Sequence, residues 1–267
     1  MVQSAIDVEK SLTEINTILG VSNKNLEKFG NSLFSIANNT GQSFAVVAEA
    51  ANELARQGLG LTETLQRAND ALILTRISGM KAAESVAALT AVMNGYNAAA
   101  YTSAEITNKL AAVDAAFAVS SQDLAEALRR VGSTAATAGV GLEQLLGIVA
   151  ATQQVTARGG AVIGNSFKTI FTRMQRPKVI KALEALGVVT KDNEGNVLGL
   201  MAVMKNLAST YDHLAPKQQA MVAELVGGVF QVNVLKAALG DLSKEYSLYS
   251  NAVKIANNAT NEAEIRN

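Results

Sequence analysis

Paired acids, a glycine-rich loop and a single histidine are the residues of this sequence whose types and spacing could do chemistry. Glu49 and Glu53 fall on one face of a helix, where two carboxylates could serve acid–base or metal chemistry. Nothing nearby supplies further ligands, so a solvated face is expected. Glycan hydrolysis needs two carboxylates facing each other across a cleft. Glu126, Glu143 and Glu184 are available for that, but no sequence feature marks them. Gly159 to Ser166 imitates the spacing of a phosphate loop, but Asn165 stands where the lysine is required and no strand precedes it. A tight turn between helices is the expected role. Asp192-Asn193-Glu194-Gly195 offers oxygen ligands for calcium, but Val197 and Leu198 cut the twelve-residue loop short. His213, beside the Pro216 turn, reads as a surface or helix-end residue. Cysteine is absent and histidine is single, which removes thiol nucleophiles, disulfides and His-pair metal sites. No catalytic residue, metal or cofactor is assigned, and no enzyme activity is expected.

Two segments could instead meet a partner. Residues 165–191 carry Lys168, Arg173, Arg176, Lys178, Lys181 and Lys191 against Glu184 alone, a local excess of five positive charges. Phe167, Ile170, Phe171 and Met174 form the opposite face. Such a helix can meet an anionic lipid or nucleic acid, or can be a core helix with a wet basic face. Lys168, Arg173, Arg176, Lys178 and Lys181 are the candidate contacts. Leu225 to Leu235 is the most apolar stretch, but at 11 residues it is too short to span a bilayer as a helix. Core burial is the default, and membrane insertion after refolding the alternative.

The elements that would position these residues are helices. The 267 residues include two prolines, Pro177 and Pro216, no tryptophan and 49% apolar side chains, many of them alanine. That composition supports a packed core and lets helices approach closely. The formal net charge is zero, which argues against strong nonspecific nucleic-acid binding, and no sequence-specific nucleic-acid partner is expected. Helical periodicity predicts helices over 2–19, 24–37, 43–57, 62–78, 81–96, 104–118, 121–137, 142–157, 161–175, 178–186, 199–212, 216–226, 229–239 and 241–258. Ile6, Leu12, Ile15 and Leu19 share a face of the first. Thr40 or Ser43, and then Thr62, are the expected N-caps. Gly58, Gly79, Gly139 and Gly160 are read as turns between helices, and Pro177 as a stop or a new start. Residues 188–198 break the pattern: β-branched residues flank an Asp/Asn/Gly turn, which predicts a small β-hairpin with Gly195 at positive φ.

The fold class is therefore mainly α, built of Ala/Gly-rich helical hairpins with one β-hairpin. A duplicated unit is also legible. Gly58-Leu59-Gly60-Leu61 matches Gly139-Val140-Gly141-Leu142 at an offset of 81, and at that offset Thr75 falls on Thr156 and Gly79 on Gly160. The organisation expected is a lead-in over 1–24, a duplicated hairpin region over 25–176, a region of helix, hairpin and further helices over 177–245, and a helical exit over 246–267. Met1-Val2-Gln3 leads into Asp7, Glu9 and Lys10, so no signal peptide is expected. Residues 261–267 still read as helix without a stop signal, so a longer parent chain is expected.

Several segments taken together resemble the conserved domain of phage tail tape measure proteins. They are Ala51 to Gly58, Phe117 to Leu128 with Val131-Gly132-Ser133 and Ala138-Gly139-Val140, Thr156 to Gly160 with Ile163 to Arg173, and Leu186-Gly187-Val188 followed by Leu214, Gln218-Gln219, Gly227-Gly228 and Gln231-Val232-Asn233. Their order and spacing match over about residues 25–245. The resemblance implies a virion structural protein that fills the tail tube, sets its length during assembly and leaves at infection to help DNA cross the envelope. It implies several copies together, as a homo-oligomer. Tail tube and tail-tip proteins, tail assembly chaperones and the host membrane at infection are the implied partners. Location would be the tail lumen or tip, the host cytoplasm during assembly and the host envelope at infection. It carries over no catalytic residue.

A ruler needs length in proportion to residue number. A continuous helix of this chain would reach about 400 Å, whereas a compact domain has a radius of gyration of about 18 Å. The glycine turns argue for compaction, so residues 1–267 are expected to be a folded module near a tube end, or a domain held extended in the tube that folds on release. A membrane-interacting or pore-forming module, a cell-wall-degrading enzyme and an unrelated helical scaffold are the competing readings.

Overall fold

A computed structural model describes residues 2–267, with side chains from Ile6 onward. The N-terminal helices are α1 (Val2–Leu19), α2 (Asn23–Thr40), α3 (Phe44–Arg56), α4 (Leu61–Ser78) and α5 (Ala82–Gly95). A short 3₁₀ turn at Asn97–Ala99 leads to α6 (Ser103–Ala116), α7 (Ser121–Thr137), α8 (Leu142–Thr156), α9 (Gly160–Met174) and α10 (Pro177–Glu184). After an irregular stretch come α11 (Leu200–Tyr211), α12 (Pro216–Val222), a π-helical segment (Ala223–Gly227), α13 (Gly228–Leu242), α14 (Leu248–Asn258) and α15 (Glu262–Arg266).

α8 runs through the centre. Leu142, Leu145, Leu146, Ile148, Val149, Ala150 and Ala151 are all fully buried, so the middle of this helix, residues 145–151, is apolar all round, as the centre of a core helix must be. α7, α9, α13 and α14 pack around it. α14 seats on Gly147, where a Cβ would lie 2.7 Å from Val253 and 3.0 Å from the Tyr249 carbonyl. α15 returns to α6: Asn108 donates to the Thr260 carbonyl and accepts from the Ala263 amide. Residues 248–266 thus close over the core side of α6 and α8.

Local chemistry sets the boundaries. Ser43 caps α3 by accepting from the Val46 amide, while Thr40 turns back to the Ile36 carbonyl. Thr62 does not cap α4: the helix starts one residue earlier, with Gly60 as its extended N-cap, and Thr62 is exposed. Pro177 opens α10 at its first position, where its missing N–H costs nothing. The break expected at Gly240 lies further on. Asp241, fully buried, accepts from the amides of Leu248 and Tyr249, both at 2.9 Å, and so fixes the start of α14 from inside α13.

The β-hairpin expected at 188–198 is not present, and no strand occurs among the described residues; one isolated antiparallel bridge joins Lys191 and Val197. The turn itself forms, with Gly195 at φ 88. Two of its amides go to a side chain, the Asp192 carboxylate accepting from Glu194 and Asn196, and only the bonds from the Asp192 amide to the Asn196 carbonyl and from the Leu198 amide to the Thr190 carbonyl cross the loop. Val188 belongs to the end of α10, its amide donating to the Leu183 carbonyl past Gly187. Val189 and Val197 remain 58% and 61% exposed. With no third strand to cover them, a two-stranded ladder has too little to bury.

The repeated turns share one backbone. Gly58 and Gly139 take φ 84 and 73, the left-handed region that favours glycine. Gly60 and Gly141 are each the extended N-cap of the next helix. The pairing of Gly79 with Gly160 does not carry over. Gly79 ends α4 at φ 74, whereas Gly160 is the first residue of α9, and Ala157 at φ 51 makes the turn. α4 has 18 residues and α8 has 15, so the same letters fall on different roles.

Candidate functional site

The glycine-rich segment that imitates a phosphate loop is a helix–helix contact. Gly160 and Gly164, four apart on α9, face α7. A Cβ at Gly160 would overlap the Asp123 carbonyl, and one at Gly164 would lie 2.8 Å from the Ala127 carbonyl. The two backbones touch, which only small residues allow. Asp123 serves both helices: its amide donates to the Ser120 hydroxyl at the start of α7, and its carboxylate accepts from the Gly160 amide at 2.7 Å. That carboxylate fills the N-terminus of α9, where an anion would otherwise be drawn. On the other side of α7, Gly95 of α5 comes within 3.0 Å of the Ser133 amide, measured from an added Cβ.

A buried ion pair joins α6 to α8. Lys109 lies 3.0 Å from Glu143 and donates to the Ala256 carbonyl of α14. The Tyr101 hydroxyl donates to both Glu143 oxygens at 3.0 Å. Burial, with the Glu143 charge beside it, pushes the Tyr101 hydroxyl up to about 12. Lys109 and Tyr101, the partners of Glu143, are thereby engaged in holding helices together.

The other candidate acids are likewise placed. Glu49 and Glu53 are exposed on α3. Glu126 takes Arg129 and Arg130 as partners, at 2.8 and 2.9 Å, and these hold its carboxyl below the usual range. Glu184 accepts from Thr190 and pairs with Lys191 at 3.1 Å, and both hold its carboxyl down. Glu126, Glu143 and Glu184 sit on different helices with different partners and do not form a facing pair. Asp70 lies in a groove of about 610 Å³ with Ser32, Gln66, Asn69 and Ser103. Burial raises its carboxyl, while the Ser103 hydroxyl, donating at 2.6 Å, opposes the rise. No second acid lines that groove. Among the described residues no three His, Asp or Glu side chains converge as metal ligands. His213 is exposed in the turn before α12.

The basic residues divide. Lys168 on α9, Arg176 at the α9–α10 junction, and Lys178 and Lys181 on α10 are exposed. Arg173 is half-buried and turned elsewhere: it donates to the carbonyls of Glu224 and Leu225 in the π segment, at 3.2 and 3.4 Å. Phe167, Ile170, Phe171 and Met174 fill the core beneath. Sequence reasoning singled out these basic residues but missed Asp123, Asp241 and Lys109 as organisers. Asp123 three residues after Ser120 had a capping signal; nothing local marked Asp241 or Lys109.

Comparison with known proteins gives a consistent set of likenesses. The family described as phage-related minor tail protein matches residues 23–228. The chain is similar to the tape measure protein of Pneumococcus phage Dp-1, at 20% identity over 80% of this chain and 19% of that protein. It is similar also to the probable tape measure protein of Escherichia phage P2, at 24% identity over 81% of this chain and 27% of that protein. The chain thus spans less than a third of the length of these relatives. No solved structure matches.

Proposed function

Because the chain belongs to the phage-related minor tail protein family, we propose that it is the folded, non-catalytic domain of a tail tape measure protein, acting in tail assembly and, with its parent chain, in length determination and genome delivery. The observation that carries this reading is the α7–α9 contact within the matched region. Backbone-to-backbone packing through Gly160 and Gly164 commits the segment to a compact bundle. A bundle cannot measure length at the rise of a rod, about 1.5 Å per residue. The ruler is then helical sequence elsewhere in the parent chain, and this domain is an assembly module at one end of the tube.

In this reading the domain works as several copies, with tail tube and tail-tip proteins and tail assembly chaperones as partners. Its places are the virion tail, the host cytoplasm during assembly and the envelope at infection. The test is tail length by electron microscopy in phage carrying in-frame deletions. Removing a helical block outside this domain should shorten tails by about 1.5 Å per residue. Removing residues 58–139 should abolish tails or leave their length unchanged. Unchanged lengths with both deletions would refute the reading.

Membrane contact is a second reading, favoured by the exposed basic residues of α9 and α10 and by the exposed apolar Val229 and Phe230, which are 75% and 85% exposed. Reversing charge at Lys168, Arg176, Lys178 and Lys181 is expected to reduce co-sedimentation with anionic phospholipid vesicles several-fold. Binding that survives the reversal would remove these residues as the contact.

A further inference from the structure

The stretch Pro216–Leu242 is a single helical run that turns a corner. Gly228 has φ 70 and ψ 176, a conformation essentially confined to glycine. The turn is sharp enough that a Cβ on Gly227 would lie 3.3 Å from the Leu235 side chain and 3.4 Å from the Val232 amide. Five and eight residues along a straight helix, those atoms would be well out of reach. The five residues before the corner are π-helical, a form that marks functional irregularities in helices. A helix that ends leaves its last carbonyls without an intrahelical donor. Arg173 of α9 donates to two carbonyls at that end, Leu225 and Glu224, the latter also reached by the Gly228 amide, and its guanidinium lies 3.1 Å from where a Gly228 Cβ would stand.

The two arms of the corner are held unequally. α13 is anchored by Val234, Leu235, Ala238, Leu239 and Asp241, all buried. The preceding arm buries Val222, Ala223 and Val226, and exposes Lys217, Gln218, Met221 and Glu224. Its other tie is Gln219, which exchanges hydrogen bonds with Tyr211. Val229 and Phe230, just past the corner, have no core to lose. Straightened, the 27 residues would make a helix about 40 Å long, and its apolar 18-residue window has a mean hydropathy of 1.4.

We propose that Gly228 is a hinge and Arg173 its clasp. Pro216–Leu242 is a two-state element, bent while Arg173 holds the π-segment carbonyls and straight when that contact is released. Straightening returns Gly228 to ordinary helical geometry and joins the hydrogen-bond ladder across the corner, which offsets exposure of Val222 and Val226. The moving part is the short arm, and α13 stays in the core.

The chain has no cysteine, so Lys217→Cys and Lys236→Cys give a unique pair for spin labels on exposed positions. A straight helix would separate these α-carbons by about 28 Å. The otherwise unaltered chain is expected to show a distinctly shorter distance. Arg173→Ala should raise the population near 28 Å at least tenfold, and Arg176→Ala, which removes an exposed neighbouring charge, should not. Circular dichroism reports whether each variant stays helical. If Arg173→Ala melts, Gly228→Ala addresses the corner through its backbone and should give the long distance. A long distance before any change to Arg173 would overturn the bent state. An unchanged short distance in folded Arg173→Ala or Gly228→Ala would overturn the clasp or the hinge, and equal lengthening in Arg176→Ala would overturn the role of Arg173.

Discussion

Replacing Gly160 with alanine tests the α7–α9 contact. The added methyl would lie 2.6 Å from the Asp123 carbonyl carbon and closer still to its oxygen. Carbon atoms at ease sit about 3.5–4.0 Å apart, so the helices must part by about 1 Å. The obstacle is backbone, and no rotamer change relieves it. Overpacking of this kind costs about 1–3 kcal/mol. Parting the helices also stretches the 2.7 Å bond from the Gly160 amide to Asp123, a cap worth about 1 kcal/mol. The expected loss is roughly 3 kcal/mol, lowering the melting midpoint by about 6–12 °C for a domain of this size. Gly159→Ala is the control: its φ is −62 and its nearest neighbour, the Asp123 carboxylate, is 3.6 Å from an added Cβ. It should be near neutral. Gly58→Ala, with open space but φ 84, should lie between, at about 1–2 kcal/mol. Urea unfolding followed by circular dichroism measures all three. A Gly160→Ala loss no larger than that of Gly159→Ala would refute the close contact and the argument for compaction built on it.

Three further outcomes follow from the same geometry. Asp241→Ala strands the buried amides of Leu248 and Tyr249 and should cost about 2–4 kcal/mol in urea unfolding, whereas Asp212→Ala, at an exposed position, should cost almost nothing. Lys109→Met leaves Glu143 buried without its cation and should cost about 3–5 kcal/mol; adding Glu143→Leu should recover much of it in a double-mutant cycle. Burial pushes the Tyr249 hydroxyl up to about 12, so the folded state keeps its proton longer than the unfolded chain. Its contribution is fully present below about pH 10, the ordinary tyrosine value, and is lost as pH rises through about 12. Thermal melts of Tyr249→Phe should therefore fall less steeply over that window than those of the parent chain.

How much of this was legible in the sequence depends on the range of the interactions. Helix periodicity is local, and the helices from α2 to α9 were readable to within a few residues. The Gly58 and Gly139 turns were readable too, because positive φ is written in glycine itself. Failures came where a distant group decides. Thr62 is a good N-cap residue, but Gly60 already has the extended backbone that lets α4 start at Leu61. Val188 and Val189 have strand propensity, but the α10 end takes the Val188 amide and the Asp192 carboxylate takes two amides of the turn, which leaves only a short bridged loop. Gly240 looked like a break, but Asp241 carries α13 onward and caps α14 from within it. Arg173 reads as one more cation among six, and only the fold turns it toward the π segment. The candidate acids were seen as unmarked, and the structure shows what occupies them: arginines for Glu126, Lys109 and Tyr101 for Glu143, Thr190 and Lys191 for Glu184.

The most direct test of a compact, non-ruling domain is cryo-electron microscopy of the intact tail, at a resolution that traces helices. α7 and α9 should lie side by side, in contact through Gly160 and Gly164, within a multi-helix module at one end of the tube. Residues 103–174 traced as one unbroken helix along the lumen would contradict it.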